Sequence, residues 1–342
     1  MFSSFFNRRE WFYWSWLGAV IILGVTWFKV QLDVSINEWF GTFYNIVQEA
    51  LAKPNTISFN DFLMQCLSFA KIAGIYIFIA VLLEFYVSHY VFRWRTAMNN
   101  YYVENWHLIR TVEGASQRIQ EDTMRFARIV EGLGVAFFRS IMLLIAFLPL
   151  LSGFGAVVTE LPWIGKVDQG LVWLALVFAA FGTVLLAVIG IKLPRLEFNN
   201  QKVEAAYRKE LVFGEDDPDL AAPTTINELF SNVKRNYFRL YFHYMYFNVV
   251  KWSYLQFAII VPYIALAPVI ISGAITLGIM QQIIRAFSKV AESFQFLVLS
   301  WPTIVELISI YKRLKGFELE IKKAQIEKHI VDEIDLGLEV GE

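Results

Sequence analysis

The 342 residues are 57% apolar and 18% charged, with 30 basic side chains against 31 acidic ones and a net charge of -1. Mean hydropathy is +0.48, outside the range of ordinary soluble domains. The near-zero charge gives no electrostatic footprint for nucleic acid, and the single cysteine, Cys66, excludes an intrachain disulfide and a cysteine-based metal site.

A spanning helix needs roughly 20 mainly apolar residues. Six stretches qualify, at about 13–31, 68–90, 129–152, 169–192, 246–272 and 277–311. The first follows Arg8, Arg9 and Glu10 directly. It is too long and aromatic for a signal peptide and has no small-residue cleavage site after it, so it is expected to stay as an anchor. Residues 91–128 contain no proline and one glycine, Gly114. Arg118 with Asp122 and Glu121 with Arg125 are spaced (i, i+4). Spans two and three are therefore expected to continue as long helices beyond the membrane, joined by a short turn.

Residues 193–245 repeat this plan. Pro194 marks a break, Lys202–Val212 reads as a helix, Gly214–Asp219 as a loop, and Thr225 with Glu228 as a capping box opening the next helix. Pro302 is placed to kink the last span. The residues from 319 to 342 read as a short charged tail, with residues 1–318 forming the transmembrane domain.

Lys53 and Lys166 are the main basic residues of the loops on one side. The other side carries Arg93, Arg95, Arg110, Arg118, Arg125 and Arg128, then Arg195 to Arg239 and the basic residues from Lys312 to Lys323. By the positive-inside rule the basic side, with both termini, is cytoplasmic. The fold class is thus an all-α membrane protein of about six transmembrane helices with long cytoplasmic extensions.

Catalytic patterns are missing. The four histidines are scattered, Gly165-Lys166 is followed by Val167 rather than Ser or Thr, and no Gly-x-Ser-x-Gly or Gly-x-Gly-x-x-Gly run occurs. No enzyme activity, metal, cofactor or ATP site is expected, and nothing in the sequence after the last span has the makings of an ATPase.

Four strings are specific enough to carry a resemblance: His89–Asn99 (HYVFRWRTAMN), Gln120–Ala127 (QEDTMRFA), Val203–Leu211 (VEAAYRKEL) and Asn236–Asn248 (NYFRLYFHYMYFN). With Ser309–Leu314, they resemble the SbmA/BacA peptide-transporter family from about Trp14 to Phe317. The resemblance implies an ABC-exporter-like fold without ATPase domains. It also implies a homodimer in the bacterial inner membrane that imports peptides and peptide-like antibiotics on the proton gradient. Two departures stand out. Family members usually carry a further hydrophobic segment near the N-terminus that this chain is read as lacking, and Glu84 stands where an uncharged residue is expected.

Proton coupling needs carboxylates whose ionisation responds to burial and neighbours. Glu131 lies just inside span three and Glu121 earlier on the same helix, so that both could line one cavity wall; the plain alternative pairs Glu121 with Arg125 and Glu131 with Arg128. In the second hairpin Glu197, Glu204, Glu210 and Glu215 form an acidic series, in which Glu204 with Arg208 is an (i, i+4) pair. The resemblance implies that acidic residues there face a cavity, which makes Glu204, Glu210 and Glu215 coupling candidates; a solvated face is the alternative. In the last span Gln281, Arg285, Ser288, Glu292 and Gln295 recur at steps of 4, 3, 4 and 3 and share one face. That polar stripe either lines the permeation path, with Glu292 a further coupling candidate, or forms a dimer seam in which Arg285 and Glu292 neutralise each other. The aromatic run Tyr237–Phe247 reads as an interfacial belt, and His243 within it as a structural hydrogen-bonder.

The expected function is therefore proton-driven import of cationic peptides by a homodimer in membrane lipid. The alternatives are the membrane half of an ABC transporter whose ATPase is a separate chain, and a non-transporting membrane scaffold.

Overall fold

The structure is a computed structural model that describes residues 1–112, 114–156, 158, 160–162, 165–217 and 221–339. Among these residues, six helices are long and apolar enough to cross a membrane: α1 (Tyr13–Ala52), α2 (Phe59–Glu104), α3 (Ala115–Gly153), α4 (Gly170–Glu215), α5 (Pro223–Ile271) and α6 (Leu277–Lys328). They run for 39 to 52 residues. At about 1.5 Å per residue each is far longer than the roughly 30 Å hydrocarbon core, so every span continues as helix outside it. A short antiparallel pair, β1 (Glu160–Leu161) and β2 (Gly165–Lys166), lies in the connection from α3 to α4, with Lys166 3.6 Å from Glu160. The chain divides into two compact units, residues 1–146 with 303–342, and residues 147–302.

In the first unit α1 and α2 pack as an antiparallel pair. Ser58 and Asp61 cap α2 reciprocally: the Asp61 amide donates to Ser58 Oγ at 3.1 Å and the Ser58 amide to the Asp61 carboxylate at 3.3 Å. Near that turn Trp39 stacks on Phe43 at 4.6 Å and donates its indole N–H to the Gln65 carbonyl at 2.9 Å. At the basic end Gly18 allows the two helices to meet, because a Cβ there would stand 2.7 Å from the Tyr90 ring. The Tyr90 hydroxyl donates to the Ser15 carbonyl at 2.9 Å, within the π-helical turn Tyr13–Leu17 that opens α1. Short helical turns after Glu104 and a left-handed Gly114 (φ 71°) lead into α3, as the lone glycine of that stretch foretold. The later part of α6 packs here too: Ile310, Leu314, Phe317 and Ile321, spaced as one helical face, join the core around Met98, Tyr102 and Phe126. Arg313 fixes it with two parallel hydrogen bonds to the buried Asp122 carboxylate, at 2.7 and 2.9 Å.

In the second unit α4 shows two faces. Leu171, Ala175, Ala179, Gly182 and Leu186 are buried, whereas Val177, Phe181, Val184 and Val188 are each about 60% exposed. An exposed apolar stripe at helical spacing is a lipid-facing surface. The buried side is narrow because Tyr254 of α5 lies on Gly182 and donates to the Phe178 carbonyl at 3.2 Å. A Cβ added at Gly182 would stand inside the Tyr254 ring. Gly182→Ala is thus expected to lower the unfolding midpoint of the protein in detergent, at a cost of about 1–3 kcal/mol. Tyr254→Phe, which keeps the ring, should not relieve it, whereas Tyr254→Leu should relieve part of it.

Three boundaries differ from the sequence expectations. α5 opens at Pro223 with Ala222 as its cap and no side-chain hydrogen bond, so Thr225 and Glu228 form no capping box. Proline at the first turn needs no such cap, since its missing N–H is one that the helix start leaves unpaired. The second-hairpin helix runs from Leu193 to Asp216 rather than only from Lys202 to Val212. It takes in Gly214–Asp216 of the expected loop, whose Pro218 and Asp219 lie outside the described residues. The break in α6 falls at Ser300, between Leu299 and Trp301, rather than at Pro302, which sits in the first turn of the resumed helix. That helix then continues through the charged tail to Glu339. The break before Pro194 is where it was expected, at Ile191–Lys192.

Candidate functional site

In the first unit, ionisable side chains meet at membrane depth. α1 supplies Lys29 and Asp33, one turn apart; α2 supplies Glu84 and Ser88, also one turn apart; α3 supplies Glu131 and Arg139. Lys29, Glu84, Ser88, Glu131 and Arg139 line a pocket of about 430 Å³ whose remaining wall is Ala80, Leu83, Val87, Gly132, Val135 and Ala136. That volume lies within the roughly 300–1,000 Å³ of small-ligand sites. The apolar wall keeps the local dielectric low, so each charge here depends on its neighbours.

The pairing runs along the pocket. Arg139 bridges to Asp33 at 3.2 Å, and Asp33 is buried. Lys29 sits 5.0 Å over the Tyr76 ring and interacts electrostatically with Arg139, Asp33 and Glu84. Ser88 donates its hydroxyl to the Glu131 carboxylate. Among the described residues, neither Glu84 nor Glu131 is in an ion pair. Lys29 and Arg139 balance two of the three carboxylates Asp33, Glu84 and Glu131, which leaves one negative charge, or one proton, over. From Glu131 to Arg139 the helix rises about 12 Å, so the cluster covers more than a third of the hydrocarbon core. One turn beyond Asp33, the side chain of Asn37 is buried, and among the described residues neither its amide atoms nor Arg139 Nε finds a hydrogen-bond partner. Buried polar groups of this kind are costly to keep.

Glu131 and Glu121 both lie in π-helical turns of α3, Val130–Gly134 and Arg118–Asp122. Such turns insert a residue into the helical register and recur at functional sites. The two carboxylates do not share the pocket. Glu121 bridges to Arg125 at 2.7 Å and accepts from Gln117 at 3.0 Å, the plain ion pair considered from its spacing. Glu131 pairs with Ser88 and not with Arg128, which is exposed.

The polar stripe of α6 lies opposite the buried Ile283, Ala286, Phe287 and Val290. Glu292 is exposed and lies 3.6 Å from Lys289, one turn back on the same helix. Ser288 donates back to the Ile284 carbonyl at 2.9 Å. Gln281 and Arg285 are half-buried. Gln295 departs from the other four: it is buried and hydrogen-bonds the Tyr254 hydroxyl. In the second hairpin Glu204 and Glu210 are half-buried and Glu215 is exposed. Among the described residues none of these three is in an ion pair, and Glu204 does not reach Arg208. Glu197 accepts the Tyr244 hydroxyl at 2.8 Å. His243 Nδ1 is 2.9 Å from the Arg239 carbonyl, a structural contact, and Phe238, Tyr241 and Phe242 are exposed as a belt would be.

Sequence reasoning missed Lys29, Asp33 and Arg139. The signal was available, since Lys29 and Arg139 fall inside apolar runs where an ionisable residue is a functional candidate by default.

The profile of the SbmA/BacA-like family matches residues 8–322. The chain belongs to the SbmA/BacA-like family. Among curated proteins, this SbmA/BacA-like chain is similar to the inner membrane ABC transporter ATP-binding protein YddA of Escherichia coli (strain K12). The two are 24% identical over 323 residues, covering 87% of this chain and 56% of that protein. It is 22% identical over 320 residues to an uncharacterized ABC transporter ATP-binding protein of Haemophilus influenzae, covering 87% of the chain and 53% of the relative. An uncharacterized ABC transporter ATP-binding protein of Synechocystis is 22% identical over 242 residues, covering 68% and 35%. The SbmA/BacA-like chain thus spans about half the length, or less, of the curated relatives it matches.

Proposed function

We propose that the protein imports cationic peptides and peptide-like antibiotics across the bacterial inner membrane, driven by the proton gradient, as a homodimer with both termini in the cytoplasm. The observation that carries this reading is the charged pocket of α1, α2 and α3. A proton taken up by Glu131 or Glu84 removes the charge left over in an apolar pocket, and its release restores it. A difference of one charge at membrane depth is large enough to bias two conformations of a transporter. Glu121, Glu204, Glu210, Glu215 and Glu292 remain further coupling candidates on their position alone. Gln281, Arg285, Ser288 and Gln295 are candidates for the peptide path, with Gln295 the weakest because it is packed against Tyr254.

A second reading is favoured by the names and lengths of the relatives: the chain is the membrane half of an ABC transporter powered by an ATPase. Uptake of a labelled cationic peptide into proteoliposomes separates the two. With an imposed pH gradient and no nucleotide, uptake is expected to proceed and to collapse on adding a protonophore. Uptake that ignores the gradient and requires ATP with a co-purifying nucleotide-binding subunit would establish the second reading instead.

A further inference from the structure

The second unit holds a cationic groove that the transport reading does not use. α4 and α5 run antiparallel here, and each presents one helical face to the groove: Asn199 and Lys202 from α4; Asn232, Arg235, Asn236 and Arg239 from α5. The cavity is about 480 Å³, and among the described residues no carboxylate lines it. Arg235 reaches Asn232 Oδ1 at 3.4 Å, and among the described residues Lys202 and Arg239 have no acidic partner. Three cations and three amides around one space form a donor set for an anion, and the guanidinium groups suit phosphate oxygens.

The level of the groove decides which anion. Arg239 lies seven residues before the apolar run that begins at 246, Arg235 eleven before it, and Lys202 ten after the run that ends at 192. Those offsets are about 10–16 Å along the helices, so that the long side chain of Arg239 reaches the headgroup layer and the other two lie at its outer edge. Exposed Phe198, Phe238, Tyr241 and Phe242 stand at the same level, between 57% and 66% accessible. Exposed aromatic groups beside cations characterise the bilayer interface, and basic pockets between helices at that level bind lipid headgroups. We propose that Lys202, Arg235 and Arg239 form a binding site for the phosphate headgroup of an anionic phospholipid, with the neighbouring aromatic side chains against its acyl chains.

The test uses the full chain, purified with phosphatidylglycerol and phosphatidylethanolamine in equal amounts, with retained lipid counted by native mass spectrometry. The wild type is expected to retain phosphatidylglycerol over phosphatidylethanolamine by tenfold or more. Arg239→Gln should weaken retention roughly fivefold, and the triple variant Lys202→Gln, Arg235→Gln, Arg239→Gln over a hundredfold. The triple Arg208→Gln, Lys209→Gln, Lys234→Gln removes equal charge outside the groove and should retain the lipid. Equal loss in the two triples would show diffuse surface attraction and overturn the site. So would the absence of a lipid preference in the wild type. Displacement of the lipid by millimolar inorganic phosphate or ATP would make the groove a site for soluble phosphates and overturn the lipid assignment. Because the single variant leaves two cations in place, the result does not depend on the triple folding, and peptide uptake by the wild type is a separate measurement.

Discussion

Arg139→Leu is expected to destabilise the protein by about 3–5 kcal/mol, and adding Asp33→Leu to restore most of the loss. Asp33 is buried against α3 with Arg139 3.2 Å away. Removing the cation leaves a buried carboxylate without its Arg139 bridge, and burial keeps water from replacing it. Removing both leaves a contact between apolar groups of similar volume, which needs no compensation. Thermal unfolding in detergent of the two single variants and the double variant gives the coupling directly. A double variant as unstable as the sum of the singles would show that the pair does not act as a unit. If the pair serves only structure, the double variant should also transport as well as the wild type. Because the double variant removes one cation and one carboxylate together, it leaves the same one charge over, so a loss of gradient-driven uptake in a stable double variant would show that the pair takes part in coupling beyond the net charge of the cluster.

Glu131→Gln is expected to reduce gradient-driven peptide accumulation at least tenfold while leaving the unfolding midpoint within about 1 kcal/mol of the wild type. The amide has the shape of the carboxylic acid and can accept the Ser88 hydroxyl, so the contact between α2 and α3 survives. What is lost is the ability to exchange a proton. A variant locked in the neutral form should still bind peptide and exchange it across the membrane at zero gradient. Glu204→Gln and Glu210→Gln, which do not line this pocket, are expected to change accumulation less than twofold. Equal defects at Glu131 and Glu204 would remove the distinction drawn from the pocket. Wild-type accumulation in Glu131→Gln would exclude Glu131 as the coupling group.

Much of this was legible in the sequence. The six apolar runs, the basic-side extensions, the break before Pro194 and the polar face of α6 follow from local chemistry: hydropathy over twenty residues, helical periodicity, and proline's lost N–H. The Glu121–Arg125 pair was legible for the same reason, since (i, i+4) neighbours on a helix touch whatever the fold. The capping box at Thr225 misled because its two residues fit the pattern, while Pro223 two residues earlier already began the helix.

The chain's own order of residues determined that it is a helical membrane protein of the SbmA/BacA-like family: its apolar runs of about twenty residues satisfy their backbone polar groups within one segment only as helices. Only the tertiary structure decided that Lys29, Glu84, Glu131 and Arg139 line one pocket, with Asp33 paired to Arg139, and that Glu121 stands outside it. Those five residues are scattered over 111 positions, and their charges become one cluster only when α1, α2 and α3 pack side by side. The π-helical turns of α3 add to the difficulty, because each shifts the register that periodicity assumes. Lys202, Arg235 and Arg239 likewise read as ordinary solvated cations until two antiparallel helices place them around one space.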